Sequence, residues 1–178
     1  MNQCIHNIDI LRWIMGNDVK QVFAYTDRQT HDYIEAEDIG VAVVKFANGA
    51  YATIEGTVNV YPRNLEETLT ILGETGTVKA GGKSLNVIEQ WNFADKDDSA
   101  AVKAEFAENP PNIPGLGHTR IYEDVVDAIR NDRDPVVSAE DGRRAIELIL
   151  AIYESAATGK PVDLPLTSGA TMDYVGRV

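Results

Sequence analysis

The side chains with the clearest potential for chemistry lie at the start of the chain, on one face of a predicted helix. Four of them recur at i, i+4, i+7 and i+11: Asn2, His6, Asp9 and Trp13. An imidazole one turn from an amide and one turn from a carboxylate can act as a general acid or base. The amide can hold a substrate hydroxyl, and the carboxylate can orient the imidazole. A packing or surface pair between His6 and Asp9 is the alternative that this spacing leaves open.

Two histidines and one arginine in predicted loops are less specific candidates. His118 follows a Gly-Leu-Gly sequence just before a predicted helix, where it can face a pocket or remain a capping or solvated residue. Arg63 lies in a polar turn and can pair with a phosphate or a carboxylate, although a solvated turn is an equal alternative. His31 lies in a polar loop with Asp32 and Glu35, so we expect it at the surface.

The sequence contains no motif for a metal or a nucleotide cofactor. Cys4 is the only cysteine and is two residues from His6, so the two side chains do not share a helical face and no zinc site is expected. The Gly-Leu-Gly before His118 has no third glycine, and the segment 73–76 lacks the lysine of a P-loop. We therefore expect this chain to bind no metal and no cofactor by itself.

Composition limits the class of protein. The 178 residues are 44% hydrophobic and 25% charged, which is typical of a folded globular chain. A formal net charge of −12 disfavours binding to nucleic acid. No apolar run approaches the roughly 18 residues of a membrane span, and Asp9 interrupts any signal-peptide core. We expect a soluble cytoplasmic protein that binds no membrane.

Hydrophobic periodicity predicts three main helices. Apolar residues recur at helical spacing over 3–15, and Gly16 is suited to end that helix. The same spacing returns over 119–131 and 139–158, and Gly159 ends the last helix. Because the first helix is apolar and begins almost at the first residue, it must pack against other elements, as in the second half of a longer protein.

Strand-like segments fill the region between the first two of these helices: 19–26, 38–46, 50–60, 67–72, 77–80 and 84–91. Asn48-Gly49 between two of them is typical of a hairpin turn. Since hairpin follows hairpin, we predict an α+β fold with one open, largely antiparallel or mixed sheet of about six strands. Helices are expected on one face, and no Rossmann domain is expected. The other face is a candidate for self-association.

Three segments carry a family pattern. They are residues 1–16, residues 61–66 together with 72–78, and a closing stretch with Gly117-His118, Pro135-Val136, Gly159 and Leu164-Pro165. In this order they resemble the C-terminal domain of the Gfo/Idh/MocA family of NAD(P)-dependent oxidoreductases, which act on sugars, inositols and related polyols. The middle segments resemble the members that oxidise C3 of UDP-N-acetyl-glucosaminuronate-type sugars. The resemblance covers residues 1–166 and leaves 167–178 as a C-terminal tail.

This resemblance implies a chain that is the second half of a two-part enzyme. In the family, the first half binds the nicotinamide cofactor and supplies a catalytic lysine in a Glu-Lys-Pro motif, which this sequence lacks. The second half builds the substrate pocket and the oligomer interface. The implied function is therefore a substrate-binding and oligomerisation domain that is inactive alone, with NAD or NADP bound only by the full-length enzyme.

The family pattern on the first helix is Asp-x-x-x-His. His6 falls on the histidine, which implies a catalytic acid/base role, and Asp9 is expected to orient it. Asn2 stands where the family has Asp, and an amide can orient a hydroxyl but cannot take its proton. The resemblance also implies that Asn2, Arg63 and His118 bind the substrate, with Arg63 at a diphosphate.

The implied partners are a sugar or nucleotide sugar and further copies of the chain, as a dimer or tetramer through the sheet. Two other functions stay open. The domain could be a stand-alone binding module for a sugar or nucleotide sugar, or a purely structural oligomerisation domain.

Overall fold

The computed structural model describes residues 3–108 and 117–177. These residues form the following elements: α1 (Ile5–Met15), β1 (Val19–Asp27), β2 (Ile39–Phe46), β3 (Tyr51–Thr57), β4 (Leu69–Leu72), β5 (Gly76–Gly81), β6 (Val87–Phe93), α2 (Ser99–Glu105), α3 (Gly117–Arg130), α4 (Ala139–Thr158), β7 (Val162–Asp163) and a 3-10 helix at Thr171–Tyr174. They divide into two compact units. The first unit comprises the chain up to Tyr61 and from Ala139 onward, and the second unit comprises Pro62–Ser138.

The first unit contains a four-stranded antiparallel sheet in the order β3-β2-β1-β7. The predicted hairpin at Asn48-Gly49 joins β2 to β3. Gly49 has a φ of 92°, a left-handed conformation that glycine adopts without a steric cost. The Asn48 side chain accepts a hydrogen bond from the Ala50 N–H and donates one to the carbonyl of Met15, which ties the turn to the end of α1.

One face of this sheet packs against α4, which in turn contacts α1. The buried residues of this core come from all three elements: Val22, Ala24, Ala42, Val44 and Phe46 from the strands, Ala145, Leu148, Ile149 and Ile152 from α4, and Ile8 and Leu11 from α1. Buried Ser155 links helix and sheet, because its hydroxyl accepts from the Ala24 N–H at 3.0 Å and donates to the Lys160 carbonyl at 2.7 Å.

The opposite face of the sheet is exposed and partly apolar. Its large exposed side chains are Tyr25, Val41, Val43 and Tyr51. Strand register places Tyr25 opposite Val41, and Phe23 opposite Val43. The rings of Phe23 and Tyr25 meet edge to face at 5.1 Å.

The second unit contains a three-stranded antiparallel sheet in the order β4-β5-β6, with α2 packed on β6. The Trp91 indole donates to the Asp98 carboxylate at 3.0 Å and so fixes the start of α2. Beyond α3, Arg133 forms ion pairs with Asp124 and Asp127 and folds the chain back along the helix.

The predicted α+β class and the open antiparallel arrangement are confirmed, and Gly16 ends α1 in a left-handed conformation as predicted. The strands are divided between two sheets, whereas the pattern predicted one. Within the C-terminal tail, Tyr174 is buried and its ring lies 5.9 Å from that of Tyr153. In the described ranges, no helix has the length and apolar character needed to cross a membrane.

Candidate functional site

The predicted catalytic helix α1 belongs to the first unit and packs against α4. Ile8 and Leu11 lie on its buried side, while the side chain of His6 is exposed. Asp9 is half-buried one turn further on. The helix therefore holds an accessible imidazole on a packed element, which is the arrangement that an acid/base or hydroxyl-binding residue needs.

Arg12 is the residue on α1 that the sequence analysis missed. It is 2% exposed, and its guanidinium donates to the Asp9 carboxylate at 3.0 Å, to the Asn17 side-chain oxygen at 2.9 Å and to the Asp141 carbonyl at 3.0 Å. A buried cation is tolerated only when such partners replace water. One sequence pattern could have indicated its burial: Arg12 follows Ile8 by four positions and so lies on the apolar side of the helix.

This contact gives Asp9 a partner that the spacing did not predict. The Asp9 carboxylate accepts a hydrogen bond from Arg12, which also bonds to the first turn of α4. Asp9 is thereby held near that turn. Its predicted role in orienting His6 stays a prediction.

The start of α1 is fixed by a close contact with the sheet. Cys4 precedes the helix, and a Cβ atom at Gly56 of β3 would overlap its sulfur. Glycine at position 56 therefore lets the Cys4 side chain lie directly against the strand where α1 begins. Cys4 and Gly56 line a small cavity of about 60 Å³ together with Glu37 and Tyr153.

A partly buried polar pair lines the same cavity. The Tyr153 hydroxyl, on α4, donates to the Glu37 carboxylate at 2.7 Å. Burial, and then this hydrogen bond and the charge of Glu37, raise the pKa of Tyr153 above its ordinary value. Tyr153 therefore stays a protonated donor and links α4 to the segment that leads into β2.

The other predicted site residues lie elsewhere. Asn2 lies outside the described residues. Arg63 is exposed in the bend after β3, and His118 is exposed at the start of α3; both belong to the second unit. The structure thus brings His6 and Asp9 onto one helix, and the substrate-binding roles of Asn2, Arg63 and His118 stay predictions.

The described residues show no glycine-rich turn of the kind that holds the pyrophosphate of a nicotinamide cofactor. The pyrophosphate of NAD is held at a glycine-rich turn between a parallel strand and a helix. The ladders found in both sheets are antiparallel, and the segment 94–98 that joins β6 to α2 contains no glycine. Within 3–108 and 117–177, no group of three or more His, Cys, Asp or Glu residues is arranged to hold a metal ion.

Residues 1–164 match the family described as the oxidoreductase family, C-terminal alpha/beta domain (GFO_IDH_MocA_C). The chain therefore belongs to this family, and the resemblance drawn from its three segments is confirmed.

Solved and characterised relatives agree with this assignment. The WlbA dehydrogenase from Bordetella pertussis, solved in complex with NADH and UDP-GlcNAcA, is 39% identical with a TM-score of 0.81, over 93% of this chain and 47% of that one. D-apiose dehydrogenase from Rhizobium rhizogenes is 30% identical over 90% of this chain and 47% of its own length. Levoglucosan dehydrogenase from Pseudarthrobacter phenanthrenivorans is 28% identical over 76% of this chain and 38% of its own length. The chain thus spans at most about half the length of these relatives.

Proposed function

We propose that this chain is the substrate-binding and oligomerisation half of a cytoplasmic nicotinamide-dependent oxidoreductase that oxidises a hydroxyl of a sugar or nucleotide sugar. The observation that carries the proposal is the exposed His6 on α1, a helix clamped by buried Arg12 at one end and by the Cys4–Gly56 contact at the other. The dehydrogenase relatives supply the reaction class.

In this proposal, His6 holds or takes the proton of the reacting hydroxyl. An exposed imidazole on a fixed helix suits that role because proton transfer needs a donor–acceptor distance near 3 Å, about the length of one hydrogen bond. Nicotinamide accepts the hydride when it is bound. We assign the cofactor to another half of the enzyme, outside this sequence, and expect no turnover by this chain alone.

A nucleotide sugar is the substrate class that we favour. WlbA, solved with UDP-GlcNAcA, shares 39% identity with this chain, which exceeds the 30% and 28% shared with the D-apiose and levoglucosan enzymes. A guanidinium such as that of Arg63, exposed in a polar bend, is suited to a diphosphate.

The exposed sheet face supports the oligomerisation part of the proposal. This face carries an apolar patch formed by Tyr25, Val41, Val43 and Tyr51. Helices already cover the other face of the sheet. Such a patch on a two-layer unit is suited to an isologous contact with the same face of a second copy.

The proposal is tested by calorimetric titration of UDP-GlcNAcA and, separately, NADH into the 178-residue chain. We expect UDP-GlcNAcA to bind, His6→Ala to weaken that binding by about tenfold, and NADH not to bind. Lys20→Ala, at an exposed position of β1, is the control and should bind as the wild type does. Equal binding by His6→Ala, or NAD-linked turnover by the chain alone, would contradict the proposal.

A further inference from the structure

The loop between β1 and β2, residues 28–38, is held by a buried carboxylate at its end. Asp38 is 2% exposed. Its carboxylate accepts hydrogen bonds of 2.7 to 3.0 Å from four donors: the backbone N–H groups of Gln29, Thr30 and His31 and the side-chain amide of Asn59. A surface loop tied by so many bonds to one buried group is pre-organised, which is a property of binding loops.

The charge of Asp38 is fixed by the same bonds. Burial by itself raises the pKa of this carboxyl, but the four hydrogen bonds outweigh burial and hold the pKa well below its ordinary value. Asp38 is therefore an anion at neutral pH, beneath the loop.

The rings of His31 and Tyr33, both in this loop, stand nearly perpendicular to each other and form a corner. The Nδ1 atom of His31 lies 3.4 Å from the Asp38 carboxylate, so the imidazole lies directly against this anion. The imidazole is partly exposed, and the Tyr33 ring stands at 89° to it with centroids 5.5 Å apart. Tyr33 is 78% exposed, so its ring contributes little to the core.

The loop lies at the end of the first unit where α1 begins. Glu37, near the end of the loop, lines the same small cavity as Cys4 and bonds to Tyr153. His6 follows Cys4 by two residues. The corner and the proposed catalytic histidine therefore belong to the same end of one unit.

We propose that His31 and Tyr33 form a binding corner for the pyranose ring of the substrate. The apolar face of the ring stacks on Tyr33, and a ring hydroxyl forms a hydrogen bond with Nε2 of His31. The inference rests on the proposed function, because the pyranose is that of the sugar substrate. An exposed aromatic face next to a polar imidazole matches the two kinds of surface on a pyranose, its apolar C–H side and its hydroxyls.

The test is an NMR titration of the full 178-residue chain with UDP-GlcNAcA, and with UDP and N-acetylglucosamine as separate arms. The resonances to follow are the rings of Tyr33, His31 and His6. We expect UDP-GlcNAcA and N-acetylglucosamine, but not UDP, to shift Tyr33 and His31. Tyr33→Ala should weaken binding of UDP-GlcNAcA by about tenfold, whereas Tyr33→Phe keeps the stacking face and should bind normally.

Leu72→Ala is the matched control, since Leu72 is as exposed as Tyr33, at 78% each, but lies on β4 of the second unit. It should bind as the wild type does.

The outcomes separate this inference from the proposed function. Shifts at His6 without shifts at Tyr33 and His31 would overturn the corner and leave the proposed function intact. Shifts at the corner without any at His6 would support the corner and contradict the proposed role of His6. Shifts of Tyr33 by UDP alone, or unchanged affinity in Tyr33→Ala, would also overturn the corner. No shift at any of the three residues would contradict both proposals.

Discussion

The guanidinium of Arg12 lies 3.0 Å from the carboxylate of Asp9, on the same face of the helix that it anchors. The same nitrogen donates to the Asp141 carbonyl in the first turn of α4. One buried side chain thus sets both the position of α1 on α4 and the direction of the Asp9 carboxylate.

Replacing Arg12 should destabilise the first unit. Arg12→Met keeps most of the volume but loses three hydrogen bonds, so we expect the free energy of unfolding to fall by about 2 to 4 kcal/mol. Arg12→Lys should restore only part of this loss, because an ammonium cannot reproduce the forked contacts of a guanidinium. Urea denaturation measures the effect. Arg144→Met, which removes a surface pair with Glu140, is the control and should change the midpoint little. Equal midpoints for Arg12→Met and the control would contradict the role of Arg12.

The Cys4–Gly56 contact predicts a compensating pair of substitutions. Gly56→Ala places a methyl group against the Cys4 sulfur and should cost about 1 to 3 kcal/mol of stability. The double variant Cys4→Ala with Gly56→Ala should recover most of that cost, because the clashing sulfur is gone. Thermal unfolding of the four proteins of the cycle gives the coupling.

Gly142→Ala is the matched glycine control. A Cβ atom at this position would have no neighbour within 4 Å, so alanine should stabilise α4 by about 0.5 to 1 kcal/mol. If the stability changes of Cys4→Ala and Gly56→Ala were additive in the double variant, the added methyl group would not contact the Cys4 sulfur.

Asp38 predicts a pH-dependent contribution to stability. Its pKa is lower in the folded state than in the unfolded chain, so the contribution is full above the unfolded pKa of about 4 and is lost as the pH falls below it. Asp38→Asn should therefore have a lower Tm than the wild type near neutral pH, with a difference that shrinks on acidification. Asp32→Asn, at an exposed position of the same loop, is the control. A difference between wild type and Asp38→Asn that is constant with pH would argue against this assignment.

The exposed sheet face predicts self-association that a single charge disrupts. Val43 lies on this face, exposed, between Phe23 of β1 and Thr53 of β3. In an isologous dimer, Val43→Asp adds one unpaired carboxylate from each copy, so we expect the sedimentation coefficient to fall to that of a monomer while the circular dichroism is kept. Leu72→Asp, exposed on β4 of the second unit, should not change the assembly. A wild-type chain that is monomeric at low micromolar concentration would refute the prediction.

Much of the fold was predictable from patterns of residues that are close in sequence. Gly16 ends α1 and Gly49 turns the hairpin, each with a left-handed backbone conformation. The apolar spacing of 139–158 predicted the limits of α4 as they are observed. Each of these features depends on neighbours in sequence, which is why periodicity and turn chemistry were sufficient. The division of the strands into two sheets was not predictable in this way, because strand pairing depends on tertiary contacts.

The candidate site was predicted less completely than the fold. His6 and Asp9 share a helix as their spacing indicated, but the partner of Arg12 on α4 is 129 positions away along the chain. His31 was assigned to the surface because nothing local shows that Asp38, seven residues on, is buried beneath it. The burial of a polar side chain and its partners far along the chain depend on the tertiary structure. The roles of Arg12 and His31 therefore became visible only in the structure.

The central claim is that this chain supplies the substrate side of a sugar dehydrogenase through His6. Its most direct test joins the chain to the remaining half of Bordetella pertussis WlbA, in place of the half that it matches, and measures NADH formation from NAD and UDP-GlcNAcA. We predict turnover by this chimera, a loss of about 100-fold in His6→Ala, and no turnover by the chain alone. A chimera that binds both ligands and turns over equally well with His6→Ala would contradict the claim.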